Sequence, residues 1–130
     1  MKIKTAEATK LQLDWGLALA RGYTQLTLQV AGKVYGTAPD GGREQVNYTD
    51  PAVCMGLIER HGIASTRKTF SLGYFWECKV LDVGSESHYI VAHGCTPAEA
   101  VARCVISMRL GDEFECPDEL GVIYERLSRV

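Results

Sequence analysis

"TPAEAVARCVISMRLG", residues 96–111, carries the clearest helical pattern in the chain and decides its fold. Thr96 stands at an N-cap position, Pro97 at N1, and Glu99 at N3, where its side chain completes a capping box. Gly111 is typical of the residue that ends a helix, because glycine adopts the left-handed backbone angles found there without strain. The segment therefore predicts an α-helix with defined ends.

One side of this helix is expected to be buried. Apolar residues recur at helical spacing and form a stripe of Ala98, Val101, Val105 and Met108, with Cys104 beside it. Glu99 and Arg103 are four residues apart and predict an ion pair on the solvent-exposed side.

Two further helices have similar end signals. "TKLQ" (residues 9–12) is a capping box, and the helix after it is predicted to stop near Gly22. "TDP" (residues 49–51) places a capping residue before a proline at N1, and Gly62 is predicted to end that helix. Arg60 falls in its last turn, where a positive charge suits the helix dipole.

Alternating apolar and polar residues predict two β-hairpins. "YTQLTLQV" (residues 23–30) and "VYG" (residues 34–36) form the first. "YFWECKVL" (residues 74–81) and "HYIVAH" (residues 88–93) form the second, joined by the turn "DVGSES" (residues 82–87).

The predicted elements define an α+β fold. We expect an antiparallel sheet of about four strands packed with three α-helices, in the order α-β-β-α-β-β-α plus a short C-terminal extension. Thr37 to Tyr48 is a loop by composition, and "MKIK" (residues 1–4) is an expected edge strand. "GVIYERLSRV" (residues 121–130) is expected to add a final strand or helical turn. Residues 1–130 are expected to form a single domain.

Composition limits the function classes. The chain has 130 residues, of which 46% are hydrophobic and 23% charged, as in an ordinary globular protein. No apolar run approaches the roughly 20 residues of a membrane span, and the first ten residues lack the apolar core of a signal peptide, so we expect a cytoplasmic protein. The 14 Lys and Arg residues against 16 Asp and Glu residues give a net charge of −2, which disfavours non-specific DNA binding.

Cysteine and histidine give little evidence of catalysis or metal binding. The five cysteines contain no CxxC pair, and the three histidines have no metal-binding spacing, so we expect no disulfide framework, metal or cofactor. Cys95 stands beside a predicted helix N-terminus, with His93 two residues earlier, which is the arrangement of a nucleophile and its base. The two side chains share a face only if the strand continues through Gly94. We therefore interpret Cys95 as an incidental thiol.

A glycine pair near Arg43 gives no more than a weak anion-binding pattern. "PDGGRE" (residues 39–44) lacks the GxxxxGK pattern of a P-loop and is not followed at once by a helix. We interpret it as a surface loop, the alternative being a flexible lid over an anion.

A basic group and several aromatic residues predict a ligand pocket. Four cationic or potentially cationic residues fall within nine positions: Arg60, His61, Arg67 and Lys68. Arginine pairs with phosphate through two parallel hydrogen bonds, and aromatic rings stack on bases. The predicted pocket for a small anionic, nucleotide-like ligand consists of Tyr48, Arg60, Arg67, Lys68, Tyr74 and Trp76. The alternative is a solvated connection, with Trp76 in the core.

The acidic stretch "DEFECPDE", residues 112–119, offers a second interaction surface. Five carboxylates in eight residues produce a negative field that favours a basic partner, such as a host protein. The alternative is a solvated face.

Three segments of the chain resemble the NinX-like accessory proteins of lambdoid and related tailed phages. These are "MKIKTAEATKLQLDWGLA" (residues 1–18), "GLIERHGI" (residues 56–63) and "TPAEAVARCVISMRLGDEFECPDEL" (residues 96–120). Where the family more often has a tryptophan and paired glycines, this chain has Pro51, Val53 and a single Gly56. The resemblance implies a phage accessory protein whose biochemical role is not established for the family.

These observations together predict a non-catalytic binding protein of the host-cell cytoplasm. Our leading hypothesis is a homo-oligomer that sequesters an anionic nucleotide-like signal of a host anti-phage system. The alternatives are an inhibitor or adaptor of a host or phage protein, acting through the acidic stretch, and an accessory factor in recombination.

Overall fold

The computed structural model describes residues 1–29, 32–81 and 88–120. Within them the chain forms three α-helices and eight strands in three antiparallel sheets, so the predicted α+β class is confirmed. The elements are β1 (Lys2–Lys4), α1 (Lys10–Ala20), β2 (Thr24–Gln29), β3 (Lys33–Thr37), β4 (Arg43–Val46), α2 (Pro51–His61), β5 (Ala64–Phe70), β6 (Gly73–Leu81), β7 (Tyr89–Gly94), α3 (Pro97–Leu110) and β8 (Glu113–Glu115). A 3-10 turn, Thr5–Glu7, joins β1 to α1. The predicted 82–87 turn and the 121–130 extension lie outside the described residues.

The helix ends form at the predicted capping residues, but the predicted capping box of α3 is only half formed, because the Glu99 carboxylate pairs with Arg103 and not with the Thr96 amide. The Thr96 hydroxyl accepts a hydrogen bond from the Glu99 amide (3.2 Å) at the start of α3. The Asp50 carboxylate accepts one from the Ala52 amide (3.0 Å) at the start of α2, which ends at Gly62 with φ at 66°. These ends are set by local sequence.

The first hairpin extends into a three-stranded sheet, β2-β3-β4. The prediction of a loop from Thr37 to Tyr48 is wrong at β4, where Val46 pairs with Val34 and both side chains are buried. The other β4 side chains are polar and exposed, so the composition of the segment hid a strand. The Arg43 guanidinium donates to the Thr27 hydroxyl (2.7 Å) and the Gln25 carbonyl (3.0 Å), and therefore ties β4 to β2.

The second hairpin also gains a strand, giving the order β5-β6-β7. The predicted pairing of β6 with β7 is confirmed, with Leu81 opposite Tyr89 and Cys78 opposite Ala92. The connection predicted after α2 is instead β5, which pairs with β6 along its whole length. All seven β5 residues are exposed. Because the strand buries neither face, its sequence has no alternation of apolar and polar residues by which it could be predicted.

The predicted edge strand at the N-terminus is confirmed as β1. It pairs with β8, which lies inside the acidic stretch, and places Ile3 opposite the buried Phe114. The acidic stretch is therefore partly a strand.

Helix α3 lies at the centre of the molecule. One side packs on β6 and β7, and the other packs on α1 and α2. Its buried residues are more numerous than the predicted stripe: Ala100, Val101, Ala102, Cys104, Val105 and Ile106, with Ala98 and Met108 half-buried. A smaller apolar core lies between α1 and the β2-β3-β4 sheet.

Glycine at position 16 permits α1 to pack closely against Phe114 and Ile106. A methyl group there would lie 2.7 Å from the Phe114 ring and 3.0 Å from the Ile106 side chain.

None of the helices in the described part of the chain has the length and apolar character to cross a bilayer.

Candidate functional site: a cationic hollow at three helix ends

The structure does not bring the six predicted ligand residues together. Tyr48 lies in the main core, Arg60 lies at the end of α2, and the remaining four lie on the β5–β6 hairpin. These three places offer different chemistry to a ligand.

Tyr48 is held in the interior between α1 and α3. Its backbone amide donates to the buried Asp14 carboxylate (2.9 Å), and its side chain is 8% exposed. Burial raises the pKa of Tyr48, the neighbouring charges of Glu99 and Asp14 raise it further, and the charge of Arg103 lowers it. The ring therefore offers little surface on which a base could stack.

The β5–β6 hairpin brings three of the predicted residues to one face. Arg67 lies opposite Trp76 in the strand register, and its guanidinium carbon is 5.2 Å from the centroid of the Tyr74 ring. Trp76 is half-buried against the main core. Because successive residues of a strand point to opposite sides, Lys68 faces away from this group.

Arg60 instead lies in a hollow where all three helices end, which we call the cationic hollow. It has a volume of about 190 Å³. Its basic lining consists of Arg21 after α1, Arg60 and His61 at the end of α2, and Arg109 in the last turn of α3. Ala20, Gly22, Leu57 and Val105 complete the lining. A neighbouring hollow of about 350 Å³ shares Arg21, Leu57 and Arg60 and adds Ala52, Val53 and Gly56.

The positive charge of the cationic hollow is not compensated by side chains. Among the residues that the structure describes, no carboxylate belongs to its lining. Among the described residues, none of Arg21, Arg60 and Arg109 lies within 4.0 Å of an acidic group. Burial lowers the pKa of His61, and the charges of Arg109 and Arg60 lower it further. The carbonyl ends of the helices attract these cations. The Arg21 guanidinium also lies over the Tyr23 ring, with its carbon 5.1 Å from the ring centroid.

Sequence reasoning found Arg60 and missed its two arginine neighbours. Arg21 is followed at once by a helix-ending glycine, and Arg109 precedes one by two residues. That pattern marks basic helix ends, but only tertiary packing brings the three ends together.

A larger cleft, which we call the edge cleft, runs along β7 beside α3. It has a volume of about 740 Å³, and its lining includes Lys4, Phe75, His93, Cys95, Glu99, Arg103, Ser107, Asp112 and Glu113. Arg103 donates to the carbonyls of His93 (2.8 Å) and Ala8 (3.0 Å) and also pairs with Glu99. The predicted Glu99–Arg103 pair thus forms, but the two side chains are only 20% and 14% exposed. The prediction that the pair lies on an open solvent-exposed side is therefore wrong, because the pair forms a wall of the cleft.

Cys95 and His93 both line the edge cleft but do not form a nucleophile–base pair. The His93 Nε2 atom lies 3.2 Å from a Glu77 carboxylate oxygen, and its ring packs edge-on against Phe75 with centroids 5.2 Å apart. No hydrogen bond joins His93 to Cys95, both of which are described. Cys95 is an exposed thiol.

The remaining cysteines are buried, as expected for core residues. All five cysteine thiols are free. Burial raises the pKa of Cys104 to about 12 and that of Cys116 to about 11, so neither is a nucleophile at neutral pH. Within the described residues, no three His, Cys, Asp or Glu side chains lie close enough to hold a metal ion.

The carboxylates of the acidic stretch are exposed, but two of them interact with the N-terminus. The Met1 amine lies 3.5 Å from Glu115 and 3.2 Å from Asp118. The negative field available to a basic partner is reduced accordingly.

No protein-family model matches the chain, and no curated protein sequence matches it.

Proposed function

We propose that this chain is a phage accessory protein that binds and sequesters a small anionic, nucleotide-like molecule without transforming it. The observation that carries the proposal is the cationic hollow, in which three arginines from three helix ends line one depression and no carboxylate of the described residues joins them. The phage setting rests on the resemblance of residues 1–18, 56–63 and 96–120 to the NinX-like proteins. The ligand would be a signal made by a host anti-phage system in the cytoplasm.

The hollow has the chemistry to hold phosphate. Each guanidinium presents a planar set of donors that matches two phosphate oxygens. Arg21, Arg60 and Arg109 all line the hollow. The hollow is smaller than the roughly 300–1,000 Å³ of pockets that enclose a whole small molecule. It therefore fits the anionic end of a ligand, while the neighbouring hollow, with its apolar Val53 and Leu57, would receive the remainder.

Nucleotide binding is tested by native mass spectrometry and calorimetry on the whole chain. The probes are a panel of cyclic mononucleotides, cyclic dinucleotides and ADP-ribose. We expect at least one to be retained intact and released unchanged on denaturation. A nucleotide recovered chemically altered would establish an enzyme and overturn the proposal. The absence of binding to every probe would also overturn it, and capture of a host protein that is lost on neutralising Glu113, Glu115 and Asp118 would then favour the inhibitor or adaptor alternative.

Two arginine variants and a matched control test the location. Arg60→Gln and Arg109→Gln should each weaken binding by about tenfold or more, since a charge-assisted hydrogen bond contributes roughly 1.5–3 kcal/mol. Arg67→Gln removes the same charge from the β5–β6 hairpin and should leave affinity unchanged. The opposite result would move the site to Arg67, Tyr74 and Trp76.

His61 provides a readout that is independent of affinity. Its pKa is lowered by burial and by the charges of Arg109 and Arg60. Arg21 is the other charged group in the lining. A bound phosphate would offset these charges, so the pKa of His61, followed by NMR, should rise when the nucleotide is added. An unchanged titration curve for His61 at saturating nucleotide would exclude the hollow.

A further inference from the structure

Within the described residues, no element covers the side of the β5-β6-β7 sheet that faces away from α3, here called the outer face. Cys78, Val80 and Ala92 are buried toward the helices, so the alternate residues of the same strands point outward. The outward apolar residues include Leu81, Tyr89 and Val91, which are 46%, 62% and 44% exposed. Apolar groups clustered on an open sheet face are typical of an interaction surface.

Charge on the outer face is balanced at its centre. Glu77 lies 3.8 Å from the Lys79 ammonium and 3.2 Å from His93, and its side chain is 17% exposed. Phe75 stands on one side of this charged centre and Leu81 on the other. A face with paired charges in the middle and apolar residues at both ends is suited to burial, because paired charges lose less on desolvation than single ones.

We propose that the outer face binds the outer face of a second copy of this chain, sheet against sheet, about a twofold axis that crosses the strands at the level of Cys78. A twofold axis in this direction reverses the strands of the partner and keeps their order. It places Phe75 opposite Leu81 of the partner subunit, and Glu77 opposite Lys79 of the partner subunit, each contact occurring twice. The inference does not depend on the proposed nucleotide site.

The charge pattern selects this arrangement over its alternative. A twofold axis parallel to the strands would keep the rows in register and place Glu77 against its own copy and Lys79 against its own copy. Like charges opposed in an interface cost several kcal/mol, so that geometry is disfavoured. In the favoured geometry Lys68, which stands on β5 opposite Phe75 in the register, has no β5 residue opposite it and lies at the rim.

The size of the face predicts a dimer that dissociates on dilution. Three strands spaced about 4.8 Å apart, with about nine residues rising 3.3 Å each, cover roughly 14 by 30 Å. Such a patch, about 420 Å² on each partner, is smaller than a standard specific interface and falls in the range of weak, transient ones. Phe75, Val91 and His93 also line the edge cleft, so a partner on the outer face would narrow its mouth.

Sedimentation velocity over a concentration series of the whole chain tests the proposal. The wild type should change from monomer to dimer with rising concentration, and Leu81→Glu should abolish the dimer. Lys79→Glu should raise the dissociation constant by about tenfold or more, since it opposes two acids in each copy of the contact. The double exchange Glu77→Lys with Lys79→Glu should restore the dimer, because the opposed charges are again opposite in sign.

Two controls keep the result interpretable. Lys68→Glu makes the same charge change at the rim and should leave the dissociation constant within about twofold of the wild-type value. Circular dichroism should show each variant folded. A wild-type chain that stays monomeric at millimolar concentration would overturn the proposal. A dimer indifferent to both Leu81→Glu and Lys79→Glu would do the same, and a double exchange that fails to rescue would refute the strand-reversing axis.

Discussion

Asp14 gives the sharpest test of how burial acts in this fold. It lies on α1 with 3% of its surface exposed, and its carboxylate accepts one hydrogen bond, from the Tyr48 amide at 2.9 Å. Burial raises the pKa of Asp14 from 3.8 to about 6, against the smaller opposing effects of the Tyr48 hydrogen bond and the charge of Lys10. The folded chain therefore holds this proton more tightly than the unfolded chain does.

The stability change follows from the two pKa values. Because the folded state binds the proton more tightly, the contribution of Asp14 to the free energy of unfolding is fully present below pH 3.8 and is lost as the pH rises through about 6. The values are about 2 pH units apart, and each unit corresponds to about 1.4 kcal/mol. Ionised Asp14 should therefore cost the folded chain about 3 kcal/mol at pH 7.

Asp14→Asn isolates this effect. Asparagine keeps an oxygen that accepts from the Tyr48 amide but does not ionise. In urea unfolding from pH 4 to pH 7.5, the stability of the wild type should fall by about 2.4 kcal/mol relative to Asp14→Asn, because every other titrating group contributes equally to both. Asp50→Asn, at an exposed N-cap, makes the same chemical change without the burial. Parallel wild-type and Asp14→Asn curves would refute the reasoning.

The remaining predictions concern packing, reactivity and a buried arginine. Gly16→Ala should destabilise the chain by about 1–3 kcal/mol, since its methyl group would lie 2.7 Å from the Phe114 ring. Gly56→Ala in α2, where a methyl group would have no atom within 4 Å, should stabilise the chain by roughly 0.5–1 kcal/mol. Urea unfolding of both variants checks the contrast. In the folded protein one thiol should react rapidly with a disulfide reagent, and Cys95→Ser should remove that reaction while four thiols remain protected until unfolding. Arg103→Met should lower the free energy of unfolding by about 3 kcal/mol, because the guanidinium links three segments and its removal leaves their hydrogen-bond acceptors unsatisfied. A loss under about 1 kcal/mol in urea unfolding would show that solvent replaces the guanidinium.

Local signals in the sequence predicted the helices well. The ends of α2 and α3 depend on a capping residue, a proline and a glycine within a few positions of one another, and such signals do not need the rest of the fold. The β2–β3 and β6–β7 hairpins were also predicted, from the alternation of apolar and polar residues.

Strands β4 and β5 could not be predicted in the same way. Every β5 residue is exposed and only Val46 of β4 is buried, so their sequences resemble loops and the strands exist through backbone pairing with β3 and β6. The sequence predicted that arginines form the candidate site, but it did not predict which arginines. Arg60 was predicted from the basic residues near it in the sequence. Arg21 and Arg109 lie beside it only because α1, α2 and α3 end side by side.

The convergence of three helix ends also determines how an occupant of the cationic hollow would act on the rest of the molecule. A phosphate held there would join residues 21, 60 and 109, which are far apart along the chain, and would act as a cross-link that forms only in the folded state. Binding at a hundredfold excess over the dissociation constant would then add about 2.7 kcal/mol to the free energy of unfolding. The melting temperature thus reports occupancy directly. A bacterial extract can be fractionated, and a fraction that raises the melting temperature would contain a ligand.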